Sequence, residues 1–202
     1  MYVAGQVGLT VPHKFTDVDL TGPGVPDGTG FSSLEMKNSV MYGAKLGYFF
    51  DSAKWLGIET EAFNTTPHVK QQTATLTVPG AGSVPVDLRG QSVRVTVWAP
   101  VNLIVRYPGE RFQPYAGVGM GVFFARINDT ASGESLSDTT VGLNMQVGLR
   151  YLVTNNVSVF GEYKFNYARL IFDPSDPTQA TGGVNGIYQT SYFVLGVGYH
   201  FN

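Results

Sequence analysis

Acid–base chemistry in this sequence would have to come from three histidines, and their settings differ. His13 and His68 lie in or beside long polar connections, whereas His200 sits at the opposite end of the pattern described below. Acyl hydrolysis needs a serine within reach of a histidine that a carboxylate holds. His13 is followed by Lys14 and Phe15, His68 by Val69 and Lys70, and His200 by Phe201 and Asn202, so no hydrolase constellation assembles and no catalytic residue is expected. Asp17, Asp19 and Asp27, with Asp173 and Asp176, could offer oxygen ligands, yet no calcium-loop spacing appears. They read as solvated loop carboxylates, and neither a metal nor any other cofactor is expected. With no cysteine in the chain, disulfides and thiolate chemistry are excluded.

A denser set of polar groups recurs at a spacing of two. Lys45, Glu59, Glu61, Arg94, Asn102, Asn144, Gln146, Arg150, Glu162 and Lys164 all fall on one parity of alternating segments, as does Gln6. Opposite charges brought together in a dry interior must satisfy one another, because an unpaired buried charge costs several kcal/mol, roughly. Such a network could act as a gated, proton-sensitive or ion-conducting plug. The favoured reading is a permanent salt-bridged core that the fold itself requires. Arg106, Arg150 and His200 are expected nearer one mouth, where partial solvation makes charge cheaper to accommodate.

The elements that position these groups are strands. Eight stretches alternate apolar with polar or small residues: Tyr2 to Thr10, Ser39 to Phe50, Trp55 to Asn64, Gln91 to Tyr107, Arg111 to Arg126, Thr139 to Tyr151, Val157 to Leu170 and Thr190 to Phe201. Successive strand residues point to opposite faces. One face carries Val3, Val7, Leu46, Ile58, Val101, Val118, Leu143, Val147, Leu195 and their like, without a charge, and the other carries the polar set. Connections alternate short with long: Asp51 to Lys54, Pro108 to Glu110 and Leu152 to Asn156 are tight, and the others are long and polar. Loop length sorted by end is a property of outer-membrane barrels, whose periplasmic turns are short and extracellular loops long. The expected fold is therefore all-β, an eight-stranded antiparallel transmembrane up-and-down barrel with four long extracellular loops. It should form a single domain over residues 1–202.

Composition agrees. Charged residues make up 14% of the chain, against about 25% in ordinary soluble proteins. A net charge of −2, with Lys and Arg scattered, offers no field for nucleic acid. Nothing resembles a helix of roughly 20 apolar residues, so any membrane crossing must use strands. Met1 to Gly8 already reads as strand, so the secretion signal that this reading requires is expected to have been removed. Eight strands leave an interior just wide enough for side chains, which disfavours an open pore.

Aromatics gather at strand ends as two belts. Tyr2, Tyr48, Trp55, Tyr107, Phe112 and Tyr199 lie near the short turns; Tyr42, Phe63, Phe123, Phe124, Tyr167, Tyr188, Tyr192 and Phe193 lie near the long loops. Pro100 cannot donate a ladder hydrogen bond, which predicts a bulge near Ala99 and Pro100 with Trp98 turned into the lumen. The connections Val11 to Asn38 and Phe172 to Gln189 read as mobile loops. Gln71 to Val78 and Val84 to Leu88 alternate around Pro79 to Ser83, predicting a stiff hairpin that prolongs the third and fourth strands.

The closing segment Tyr192-Phe193-Val194-Leu195-Gly196-Val197-Gly198-Tyr199-His200-Phe201 resembles the C-terminal strand of bacterial outer-membrane barrels. Trp55 to Glu61 and Arg106 to Gly119 resemble strand three and the second periplasmic hairpin of the OmpA-like, or outer membrane protein beta-barrel domain, family. The resemblance covers essentially the whole chain and specifies fold and assembly. It implies that Phe193, Leu195, Val197, Tyr199 and Phe201 form the signal read by the barrel assembly machinery, with Asn202 displacing the aromatic from the terminus. It implies residence in the bacterial outer membrane among its lipids and lipopolysaccharide, and a non-enzymatic scaffold whose loops bind an extracellular protein or polymer, as adhesins of this kind do. A narrow ion or solute channel is the alternative; a lipid A-modifying enzyme is disfavoured, since the His-x-Ser pair of the lipid A deacylases is missing.

Overall fold

The structure, a computed structural model, describes residues 1–22, 24–88, 91–128, 135–172 and 183–201. Its strand segments in chain order are β1 (Tyr2–Pro12), β2 (Phe15–Thr21), β3 (Gly30–Leu34), β4 (Met36–Lys37), β5 (Ser39–Phe50), β6 (Ala53–Thr65) and β7 (His68–Val69). There follow β8 (Gln72–Val78), β9 (Gly82–Leu88), β10 (Gln91–Arg106), β11 (Phe112–Asn128), β12 (Ser135–Leu152), β13 (Val157–Phe172) and β14 (Gly183–His200). Eight of them, β1-β5-β6-β10-β11-β12-β13-β14, neighbour one another in that order, and β14 returns to β1 from Tyr2↔His200 to Pro12↔Thr190. Every pairing is antiparallel, so the sheet closes as an up-and-down barrel, which leaves no unpaired edge in the ring. The expected short turns separate β5 from β6, β10 from β11 and β12 from β13 at one end.

At the other end the ladders continue. The register that pairs Tyr2 with Gly47 in β1 and β5 still holds at Phe15↔Leu34 and Asp19↔Gly30 in β2 and β3, so β1–β2 and β3–β5 form one long hairpin. Likewise Val95↔Thr65, Ser92↔His68 and Val78↔Gly82 share a register, and β6–β7–β8 with β9–β10 make a second. The expected hairpin prolonging strands three and four is present. The connection Val11 to Asn38 is not a loop along most of its length, because β2, β3 and β4 occupy it. Gly30↔Thr77 and Phe31↔Leu76 then join the two hairpins side by side. Lys70 Nζ and Glu35 Oε2 meet at 2.9 Å across them, and the ammonium holds the Glu35 carboxyl below its usual range.

Asp17 explains why this extension does not read as strand. It takes φ 51°, a left-handed conformation that Asp tolerates better than most residues, and it is the extra residue of a bulge. Phe15 and Val18, three positions apart, consequently both turn inward and are buried. Alternation is broken at the residue that would have displayed it.

The ladder shifts register between Trp98 and Val101 against β11 and between Ala99 and Asn102 against β6, so the bulge expected at Ala99 and Pro100 is there. Its consequence for the faces corrects the sequence reading. An inserted residue inverts parity along the rest of the strand. Val101, Leu103 and Val105 face outward as expected, but above the bulge Val93, Val95 and Val97 are buried, while Trp98 is 49% exposed on the outer face. Trp98 therefore points away from the lumen.

Candidate functional site

Side chains inside the barrel sort into three levels. Nearest the short turns the rings of Tyr2 and Phe49 stack at 5.8 Å, and His200 lies 5.4 Å from Tyr2. The Arg150 guanidinium sits 4.1 Å over Tyr2 and that of Arg106 3.5 Å over Phe49, within cation–π range. Arg106 also donates to the Lys54 carbonyl and to Gln113 Oε1, each at 2.9 Å, and His200 Nε2 meets Ser158 Oγ at 3.0 Å. A cavity of about 240 Å³ opens at this mouth, lined in part by Lys54, Arg106, Gln113 and His200.

The middle level is the charge network. Lys45 Nζ lies 3.2 Å from Glu59 Oε1 and 2.9 Å from Glu162 Oε2. Lys164 Nζ meets Glu162 Oε1 at 2.7 Å and Glu61 Oε2 at 2.5 Å. Amides fill the remaining valences: Gln146 donates to Glu59 at 2.7 Å, Asn144 to Glu61 at 2.8 Å and to Asn102 at 2.9 Å, and Gln6 to Glu61 at 3.1 Å. The period of two delivers these groups because β5, β6, β12 and β13 each turn one parity inward. With Arg150, three cations face three carboxylates, all nearly sealed from solvent. Such a set is electrically balanced and hydrogen-bonded, the condition under which buried charge is tolerated.

Three members escaped the sequence reading. Tyr115 donates to Glu162 at 2.7 Å, Tyr2 donates to Glu59, and Asn166 donates to Asn144 at 2.7 Å. Asn166 shares the parity of Glu162 and Lys164, which would have identified it. Tyr2 reads by type as an interfacial aromatic instead of by parity, and Tyr115 enters neither the belts nor the network. Arg94 is the converse error. It is exposed on the outer face of β10, outside the network, because the bulge at Ala99 and Pro100 inverts its side.

The third level, toward the long hairpins, is apolar. Phe15, Val18, Met41, Phe63, Val95, Val97, Phe123, Leu170, Tyr188 and Tyr192 are buried there as one cluster. Phe63 packs edge-on against Tyr192 at 5.3 Å, and Phe123 approaches Tyr188 at 6.4 Å. Phe63, Phe123, Tyr188 and Tyr192 thus fill the lumen, as Tyr2 does below, and do not belong to the expected belts. Aromatics that do face outward are Tyr48, Trp55, Tyr107, Phe112 and Tyr199 near the short turns, and Tyr42, Trp98, Phe124, Tyr167 and Phe193 toward the other end. On β14, Phe193, Leu195, Val197 and Tyr199 alternate outward, followed by exposed Phe201.

His13, like His200 at Ser158, finds a serine that sequence spacing could not reveal. His13 Nε2 lies 3.0 Å from Ser191 Oγ, which Tyr163 OH also approaches at 2.8 Å. The register of β1 on β14 brings residues 178 positions apart in sequence together. Among the described residues no cluster of His, Asp and Glu could hold a metal. Asp173, Asp176 and Asn202 lie outside the described residues.

A family model described as outer membrane protein beta-barrel domain matches residues 1–201. No curated protein sequence matches the chain. Among solved structures, the outer membrane protein OprG from Pseudomonas aeruginosa is similar at a TM-score of 0.57 with 16% identity, over 99% of this chain and 96% of that one. Neisserial surface protein A is similar at 0.55 and 16% identity, over 99% and 96%. The outer membrane protease OmpT from Escherichia coli is similar at 0.50 and 12% identity, over 99% and 97%. At these identities the likeness is one of fold.

Proposed function

Since the chain belongs to the outer membrane protein beta-barrel domain family, we propose that it is a non-enzymatic anchor in that membrane, with its lumen filled by side chains and its prolonged hairpins held outside the cell to meet a partner. The observation that carries this reading is the stacking of a balanced charge network beneath an apolar cluster within one narrow ring. A lumen filled in this way at two levels argues against the water-filled path that conduction needs. The hairpins β2–β3 and β8–β9 supply a laterally paired, exposed sheet, a surface suited to a protein or polymer outside the cell. The outward row Phe193, Leu195, Val197, Tyr199 and Phe201 is proposed as the assembly signal.

OmpT, an outer membrane protease, has a similar fold, so the argument against enzymatic activity rests on the residues. Ser191 Oγ is engaged by both His13 and Tyr163 and Ser158 Oγ by His200, and among the described residues no carboxylate hydrogen-bonds the His13 or the His200 ring. A hydrolytic serine needs its histidine oriented by such a group. Planar bilayers test the sealed lumen: purified wild-type protein should give no steps of conductance at neutral pH. Steady single-channel steps that Lys45→Met or Glu59→Gln abolishes would establish the channel instead.

A further inference from the structure

The network at mid-height satisfies its own charges, and the mouth below it does not. Glu59, Glu61 and Glu162 are taken up by Lys45 and Lys164, with Arg150 as the balancing cation. Arg106, one level closer to the short turns, forms no ion pair among the described residues. A guanidinium does not give up its proton in a protein, so this charge is permanent. It is also held in place. The planar group lies 3.5 Å over Phe49, while Nε donates to the Lys54 carbonyl and Nη1 to Gln113 Oε1. Gln113, itself buried, is fixed in turn by donating to the Gly109 carbonyl at 3.0 Å. Nη2 is left without a partner among the described residues.

Other donors converge on the cavity of about 240 Å³ that Arg106 lines. Lys54 reaches it from the start of β6 and His200 from the end of β14. His200 spends Nε2 on Ser158 Oγ, so Nδ1 remains for a ligand. Arg150 stands behind the wall, 4.1 Å over Tyr2, its Nε buried without a hydrogen-bond partner. Asp51 is the one carboxylate among the lining residues, and its Oδ2 accepts from the hydroxyl of outward-facing Tyr48 at 3.4 Å. A water takes up about 30 Å³ of the liquid, so the space admits an oxyanion together with part of its hydration. Donors arriving from β6, β10 and β14 suit a tetrahedral anion, which presents oxygens in every direction, and the arginine fork engages such an anion through paired hydrogen bonds.

We propose that the short-turn mouth binds a small soluble oxyanion of the phosphate class, held by the Arg106 fork, with Lys54 and His200 completing its contacts and Arg150 adding charge from behind. Val105 faces outward and Arg106 inward, so headgroups around the outer wall are not the ligand. Titration calorimetry of inorganic phosphate into the refolded full chain tests it, at neutral pH and low ionic strength in a maltoside detergent, which carries no phosphate of its own. Wild type should bind saturably. Arg106→Gln should weaken binding at least roughly tenfold, the worth of one charge-assisted hydrogen bond. Lys54→Gln, at a position exposed in the turn, should weaken it severalfold. Arg94→Gln removes the same charge from the outer wall at the far end and should bind as wild type does. Unchanged heat-modified gel migration verifies that each variant folds. No saturation in wild type would overturn the site, as would wild-type affinity in Arg106→Gln or Lys54→Gln. Equal weakening in Arg94→Gln would also overturn it, marking a general attraction to net charge. Sulfate should compete with phosphate; acetate competing equally well would refute the tetrahedral class, and short-chain phosphatidylglycerol competing equally well would refute the soluble anion.

Discussion

Lys45 is the residue on which the lumen turns. Its ammonium lies within 3.2 Å of Glu59 and 2.9 Å of Glu162, carboxylates contributed by opposite sides of the barrel. Lys45→Met would strand negative charge where no water can solvate it, and the expected loss of stability is roughly 3 to 5 kcal/mol. Combining Lys45→Met with Glu162→Gln should recover much of that loss, because the second change removes the stranded charge. The transition temperature of refolded barrels, read from heat-modified gel migration, measures both. If the double variant is no more stable than the single one, Lys45 and Glu162 do not act as a pair. The identity of these residues was legible from their period of two and their polarity. Their partners were legible only in part, since which carboxylate meets which ammonium depends on how far the sheet is sheared as it closes, and nothing local in the sequence encodes that.

At the scale of the element, β10 shows how one residue controls a strand. Pro100 signals the bulge, but the face assignment also needs the step from an extra residue to inverted parity, and that step moves Arg94, Val95, Val97 and Trp98 together. Deleting Ala99 should restore continuous alternation, driving Trp98 inward and Val97 into lipid. The deletion variant is expected to fold poorly, because a charged residue and an indole would enter a lumen packed for valines. In the unaltered protein, brominated lipid tails should quench Trp98 fluorescence, measured with Trp55→Phe as background. An unquenched Trp98 would return that side chain to the lumen. The β2 extension was missed for a related reason: Asp17 interrupts the pattern of Phe15 and Val18, so the segment has the composition of a loop and the pairing of a strand. The hairpin β8–β9 lacks any such interruption, and its alternation around Gly80 was readable directly.

For the whole molecule, eight strands return the chain to the side on which it began, so both ends belong with the short turns. Protease added to intact cells should cut only within the connections at the hairpin end, with 79–81 a reachable site there. Cleavage at Asp51 or Gly109 before permeabilisation would invert the topology. Fold class and ring size were legible because closure imposes the same two-residue period on every strand and the same loop asymmetry on every connection. Height was not. How far the ladders run past the membrane depends on lateral pairings such as Gly30↔Thr77, which link segments that look unrelated in sequence.

The apolar cluster seated on the charge network has one more consequence. A hydrated ion approaching from outside would have to shed its water among Phe63, Phe123 and Tyr192 before reaching any countercharge, and one entering from the short-turn mouth would first meet the field of Arg106 and Arg150. The two obstructions differ in kind, so one disturbance need not remove both: a substitution that breaks the ion pairs leaves the apolar seal in place, and one that thins the seal leaves the ion pairs in place. On the sealed-lumen proposal they would act as independent locks in series, and the chance of leakage would be the product of two small probabilities instead of their sum. For a protein set in a permeability barrier, that redundancy would keep the barrier tight when either lock fails.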